Sequence, residues 1–134
     1  MKEKQKELLI QKACQVREKA HAPYSQFKVG AVLEGKSGNL YMGVNVESSS
    51  YGLSVCAERN AIARAVSEGE TSFKRIVVAS HGGVSPCGAC RQVLWDICGD
   101  IEVIMVDETG KVVRQMKTSD LFPVAFDKEK LAHE

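Results

Sequence analysis

The stretch FKRIVVASHGGVSPCGACRQVLWDICGDIEVIMV, residues 73–106, decides the architecture. Its opening run, Ile76-Val77-Val78-Ala79, is β-branched, short, and apolar enough for a strand buried on both faces. The loop His81–Pro86 follows, rich in glycine and closed by proline. A helix is expected from Cys87 to about Ile97, ended by Gly99. A second apolar run, Ile101 to Val106, reads as another strand. Strands joined through a helix belong to a layered α/β domain.

Outward from this unit the chain alternates in the same way. Upstream, Leu9, Ala13, Val16 and Ala20 keep a helical period within Gln5–Ala20, and His21-Ala22-Pro23-Tyr24-Ser25 breaks it. Phe27 to Leu33 and Leu40 to Val46 read as a hairpin around the turn Lys36-Ser37-Gly38-Asn39. Serine-rich residues Glu47 to Val55 form a loop, and a helix runs from about Cys56 to Glu68, closed by Gly69. Downstream, Glu108-Thr109-Gly110 is a turn and Val112 to Met116 a fifth strand. Ser119-Asp120 is expected to cap a short helical turn before Pro123. The order α-β-β-α-β-α-β-β predicts a mixed sheet between helical layers.

At 134 residues the chain fits one domain, 1–134, because two would each have a thin core. Composition is that of an ordinary globular protein, with 44% hydrophobic and 26% charged residues. Eighteen basic residues stand against seventeen acidic ones, with no block of like charge. A polynucleotide binder usually shows a basic stripe, since phosphate neutralisation supplies most of its affinity. The balance here favours a small ligand and no polynucleotide. No apolar run approaches the ~20 residues that span a bilayer. The charged start, Met1 to Lys6, does not resemble a secretory signal, so a cytoplasmic location is expected.

Five cysteines are many for this length, and an odd number points to metal or catalysis before disulfides. Cys87 and Cys90 form a C-x-x-C pair behind Pro86, and Cys56 lies upstream. Both groups stand where a loop becomes a helix, where free N–H groups and the helix dipole favour thiolate over thiol. Three thiolates around tetrahedral zinc leave one position for water, the arrangement of a catalytic site. Glu58, in the first helical turn beside Cys56, is placed to move protons; the dipole alone would also favour a carboxylate there. A thioredoxin-type C-x-x-C would need neither Cys56 nor Glu58. A four-cysteine structural site would have to draw on Cys98 or Cys14, which instead lie on apolar helical patterns and read as core. His21, His81 and His133 are not at ligand spacing. Cys56-Ala57-Glu58 with Pro86-Cys87-Gly88-Ala89-Cys90 matches the signature of the zinc nucleobase deaminases, with cysteine in place of their histidine.

The match extends beyond the metal motif. Residues 22–31 (APYSQFKVGA), 43–47 (GVNVE), 51–61 (YGLSVCAERNA) and 85–94 (SPCGACRQVL), in this order and register, resemble the small homotetrameric zinc-dependent cytidine deaminases. The resemblance runs from about Pro23 to Phe126. It implies a three-layer α/β/α sandwich with a five-stranded mixed sheet, one Zn2+ per chain, and deamination of cytidine and deoxycytidine in pyrimidine salvage. It implies Glu58 as the catalytic proton shuttle, Cys56, Cys87 and Cys90 as ligands, and Arg59 donating to the thiolates. Phe27 would pack on the pyrimidine, Asn45 and Glu47 would bind the ribose, and Ala57 would offer its backbone to the base. Tyr51 and Phe126 would reach the nucleoside in a neighbouring subunit of a homotetramer.

Taken alone, the residues leave alternatives open. Phe27 opens a strand and reads equally as core. Asn45 and Glu47 share one face of a strand, which a solvated edge would also explain. Arg59 fits a surface helix position, although three thiolates on a divalent cation invite a guanidinium. Arg91 and Gln92 read as structural, and Trp95 is expected between helix and sheet. The Ser80-His81-Gly82-Gly83 loop is shorter than the usual family version, which bears on substrate range. A non-enzymatic zinc module, or a deaminase of a modified cytidine on this scaffold, are the rival readings; Glu58 opposes the first and Asn45 with Glu47 the second.

Overall fold

The computed structural model describes residues 2–131. Its sheet has strands β1 (Val29–Gly35), β2 (Leu40–Val44), β3 (Phe73–Ser80), β4 (Glu102–Val106) and β5 (Val112–Lys117), in the order β2-β1-β3-β4-β5. β3 and β4 run parallel and the other neighbours antiparallel, so the sheet is mixed, as expected. The parallel pair is the one within 73–106, because parallel neighbours need a crossover. That crossover is helix α3 (Gly88–Val93), prolonged by a π-helical turn over Leu94–Cys98. Helix α1 (Lys2–Arg17) covers one face, and α2 (Ala57–Ser67) with the α3 unit covers the other.

Alternation along the two central strands divides the core between these faces. Ile76, Val78, Val103 and Met105 join Ala57, Ala61, Ile62 and Leu94 on the α2 side. Val77, Ala79, Ile104 and Val106 join Leu9 and Ala13 on the α1 side. Each fully buried aliphatic side chain contributes roughly 1.5–3 kcal/mol, so neither face is expendable. Two glycines set how closely the helices sit. A Cβ on Gly30 would lie 2.4 Å from the Ala13 carbonyl oxygen, and one on Gly43 would lie 2.4 Å from the Ala61 nitrogen. Both would strike helix backbone, which cannot swing aside.

Several boundaries differ from the sequence reading. α1 stops at Arg17 rather than Ala20, because Glu18, Lys19 and Ala20 donate back only three residues and tighten the last turn. β1 starts at Val29 rather than Phe27, since the Asn45 side chain takes over the backbone there. Its Oδ1 accepts from Val29 N–H at 2.9 Å and its Nδ2 donates to the Phe27 carbonyl at 2.8 Å. β2 ends at Val44, and Val46 pairs instead with His21 and Val55. Ser119-Asp120 does not cap α4 (Thr118–Leu121); Lys117 precedes that helix, and Asp120 within it accepts the Lys117 N–H. A further short helix, α5 (Lys128–Leu131), closes the described chain.

Candidate active site and metal centre

Cys56 and Cys87 occupy the residue immediately before α2 and α3, both with extended backbone and neither capping its helix through the side chain. Their thiols are thereby free to face each other. Cys56 Sγ lies 3.8 Å from Cys87 Sγ, and Cys87 Sγ lies 3.5 Å from Cys90 Sγ. All three sulfurs fall within 4.8 Å of one another, and among the described residues they are the group placed to hold a metal ion. Zinc–sulfur bonds of about 2.3 Å in a tetrahedron separate the sulfurs by about 3.8 Å, close to the two separations from Cys87, so the trio suits that ion.

Charge at the trio is uneven. The Cys90 thiol beside it holds Cys56 down to about 5, helped by Arg59, whose Nη2 donates to Cys56 Sγ at 3.6 Å. Cys90 is pushed strongly upward by its hydrogen bond with Cys56 and by burial. Arg59 Nε is buried without a hydrogen-bond partner among the described residues. Glu58, 4% exposed, is pushed up to about 7, mainly by burial and against the hydrogen bond from its own backbone N–H. Ala57 is fully buried at the start of α2.

A second set of residues forms a cleft of about 330 Å³ lined by Tyr24, Ser25, Glu47, Tyr51 and Ser54. Glu47 accepts the N–H groups of Tyr24 and Ser25 at 3.0 and 3.1 Å and the Ser25 hydroxyl. That hydroxyl is the main reason its carboxyl is held below the usual range. The Tyr24 and Tyr51 rings meet edge to face at 5.9 Å. The loop returns to Cys56 through the Val46–Val55 bridge, so cleft and metal trio are ends of one tied segment. Phe27, 37% exposed, sits just before β1 with its carbonyl on Asn45.

Phe126 is not brought to that cleft. It is half exposed and lines a separate depression with Trp95, Ile97 and Asp127. Trp95, expected between helix and sheet, is only half-buried and donates to Asp127 Oδ2 at 3.2 Å. Cys14 and Cys98 lie apart from the trio, each against an apolar cluster, and burial pushes Cys98 up to about 12. His81 pairs with Glu108 across the short loop. His133 lies outside the described residues. Sequence reasoning passed over Tyr24, Ser25 and Arg91 as parts of the site; a serine two residues behind Pro23, in a turn, was the available signal for the Glu47 contact. No helix among the described residues is long and apolar enough to cross a membrane.

Comparison with known proteins bears on this geometry. The profile of the cytidine and deoxycytidylate deaminase zinc-binding region matches residues 3–106. The chain is 43% identical over 130 residues to a cytidine deaminase of Sporosarcina psychrophila, covering 95% of each chain. Its structure resembles the crystal structure of cytidine deaminase from Burkholderia pseudomallei, with a TM-score of 0.85 and 44% identity over 89% of this chain and 97% of that one. The cytidine deaminase of Mycobacterium tuberculosis is similar at a TM-score of 0.77 and 36% identity, covering 89% of this chain and 94% of that one.

Proposed function

The chain belongs to the cytidine and deoxycytidylate deaminase zinc-binding family, and from that premise we propose that it hydrolyses cytidine and deoxycytidine to uridine and deoxyuridine, serving pyrimidine salvage. The observation that carries this reading is the buried Glu58 on the helix turn next to three converging thiols. We place the whole of residues 1–134 in one such domain, resident in the cytoplasm.

Cys56, Cys87 and Cys90 would hold zinc, which when bound would supply the acidity that makes water nucleophilic near neutral pH. Glu58 takes the proton of the attacking water and delivers it to N3 of the pyrimidine, which activates C4. After attack, Glu58 removes the hydroxyl proton of the tetrahedral adduct and gives it to the departing amine, so ammonia leaves and the carbonyl forms. Burial favours the neutral carboxyl and the cation favours the carboxylate. These opposing influences suit a group that gains and loses a proton twice in one cycle. Arg59 draws charge from the Cys56 thiolate.

Nucleoside recognition uses what the local hydrogen bonds leave free. A carboxylate has about four lone-pair sites, and Glu47 has three of them engaged by Tyr24 and Ser25. The remaining site accepts a ribose hydroxyl. Asn45 likewise retains one N–H and one lone pair beyond its two backbone bonds. Phe27 packs on the base and the Ala57 backbone reads its edge. Tyr51, 73% exposed, and Phe126 complete the site of a neighbouring subunit in a homotetramer. Incubation of the zinc-loaded protein with cytidine, following ammonia release and the absorbance change at the pyrimidine, tests the reading; absence of turnover at full zinc occupancy overturns it.

A further inference from the structure

Arg91 follows Cys90 directly and lies one helical turn beyond Cys87, whose carbonyl accepts the Arg91 N–H at 3.0 Å. Its guanidinium reaches three neutral oxygens in two distant segments. Nε donates to the Pro86 carbonyl at 2.8 Å, Nη2 to Ser85 Oγ at 3.0 Å, and Nη1 to the Leu121 carbonyl at 2.7 Å. None of the ion pairs among the described residues involves Arg91. The planar fork therefore acts here through geometry, with no carboxylate to neutralise.

Cys56 and Cys87 both stand before their helices, but Cys56 follows Val55, which is bonded in both directions to Val46, whereas Cys87 is the exposed thiol of the three. Cys90 is fully buried inside α3, whereas Cys87 is exposed and ends a loop in which Gly82 and Gly83 adopt φ of 77° and 67°. The Pro86 carbonyl belongs to the peptide plane that ends at the Cys87 nitrogen. Fixing that plane against α3 fixes φ of Cys87 and hence where its Cβ stands, which limits where Sγ can reach. On the other side, the Leu121 carbonyl is the end of a four-residue helix and lacks an intrahelical donor. Helix α4 is itself tied to the sheet, since fully buried Thr118 donates to the Ile101 carbonyl through N–H at 3.0 Å and Oγ1 at 3.2 Å. A continuous line of hydrogen bonds thus runs from Ile101, at the edge of β4, to the residue before Cys87.

We propose that Arg91 is a positioning residue of the metal centre: its guanidinium clamps the Ser85–Pro86 segment against the end of α4 and holds Cys87 Sγ where it meets Cys56 and Cys90. This rests on the reading of the trio as a zinc site. The test is competition for zinc against a chromophoric chelator, with the cobalt–thiolate absorption of the Co2+-loaded protein and the melting of the metal-free protein as companions. Arg91→Lys keeps the charge and loses the fork. Arg91→Lys and Arg91→Ala are both expected to weaken zinc binding about 10–100-fold, the usual cost of removing a group that orients a ligand. Both should also alter the cobalt–thiolate bands. Ser85→Ala, which removes one acceptor, should weaken zinc by a smaller factor.

Wild-type zinc affinity and cobalt spectrum in Arg91→Lys would overturn the proposal, because charge would then suffice. Lower melting of both Arg91 variants with unchanged zinc affinity would overturn it too, leaving Arg91 a scaffold residue. Should the Arg91 variants fail to fold, Ser85→Ala decides, and unchanged metal binding in it counts against the clamp. Cytidine turnover by the unaltered protein is measured separately; its absence sinks the deaminase reading and leaves the zinc titration standing.

Discussion

The two faces of the sheet are built from the same kinds of residue and have different chemistry. On the α1 face, Leu9, Ala13 and the half-buried Cys14 lie in the middle of a 16-residue helix whose N–H groups are already used along its length. On the other face, α2 and α3 present their first turns, and Cys56 and Cys87 precede them. Cys14, in mid-helix, packs against the apolar cluster and donates to the Asp107 carbonyl at 3.8 Å, and burial raises it. Cys56, at a helix start, meets Cys90 and the Arg59 guanidinium, and its thiol is held down to about 5. Nearness to a helix start, more than burial, separates the trio from Cys14, since Cys90 is fully buried yet lies in the first turn of α3.

The sharpest way to break this contrast is at Glu58. Glu58→Gln should keep zinc and fold yet lose turnover by at least ~10²–10⁴-fold, because an amide cannot shuttle protons. A variant that retains a tenth of the activity removes Glu58 from the mechanism. Next come the cysteines themselves. Cys87→Ser should strip or severely weaken zinc, whereas Cys14→Ser and Cys98→Ser should keep one zinc per chain by elemental analysis. Loss of metal from a folded Cys98→Ser protein would mean a four-cysteine structural site.

Glu47→Ala leaves the metal side untouched and removes a charged acceptor worth about 1.5–3 kcal/mol, so kcat/KM for cytidine should fall by roughly 10–100-fold. Unchanged kinetics would place the ribose elsewhere. Phe126→Ala is expected to lower activity and loosen assembly without releasing zinc, since aromatic anchors dominate interfaces. Light scattering with activity across dilution checks this, and a fully active monomer refutes it. The smallest effect concerns the inert thiols. Burial raises Cys98 to about 12, so its thiolate fraction at pH 8 is minute, and alkylation in the zinc-loaded protein should keep accelerating beyond pH 9. A plateau at the ordinary thiol value of about 8.5 would show that Cys98 is exposed in solution.

Much of the architecture was legible because it rests on local pattern. The apolar run at 76–79 is short, β-branched and unbroken, so it announced a strand covered on both sides, and the five strands and three main helices followed in order. The boundaries failed where a side chain replaces the backbone ladder. Asn45 sits where β1 begins and β2 stops, bonding Phe27 and Val29, and nothing in the local sequence says that an asparagine will do so. The grouping of Cys56, Cys87 and Cys90 beside Glu58 was expected from spacing, since C-x-E and P-C-x-x-C at two helix starts leave few other uses, and the three thiols do converge. Ser25 was not, because its partner Glu47 is far along the chain and the contact exists only once the 22–27 turn folds back.

Sequence by itself determined which residues are apolar, which cysteines precede helices, and which carboxylate stands beside them. Periodicity and capping are properties of a few neighbouring residues, and they survive in any reading of the chain. Only the tertiary structure decided that Cys56 and Cys87, from separate helices, come within 3.8 Å, and that Arg91 ties the loop before Cys87 to the end of α4. It also left Phe126 on a different depression from Tyr51. Contacts of this kind depend on how closely Gly30 and Gly43 let the helices approach the sheet, and on the crossover that turns α3 back over it. These are long-range distances, set by packing of the whole core, and no local stretch of sequence encodes them.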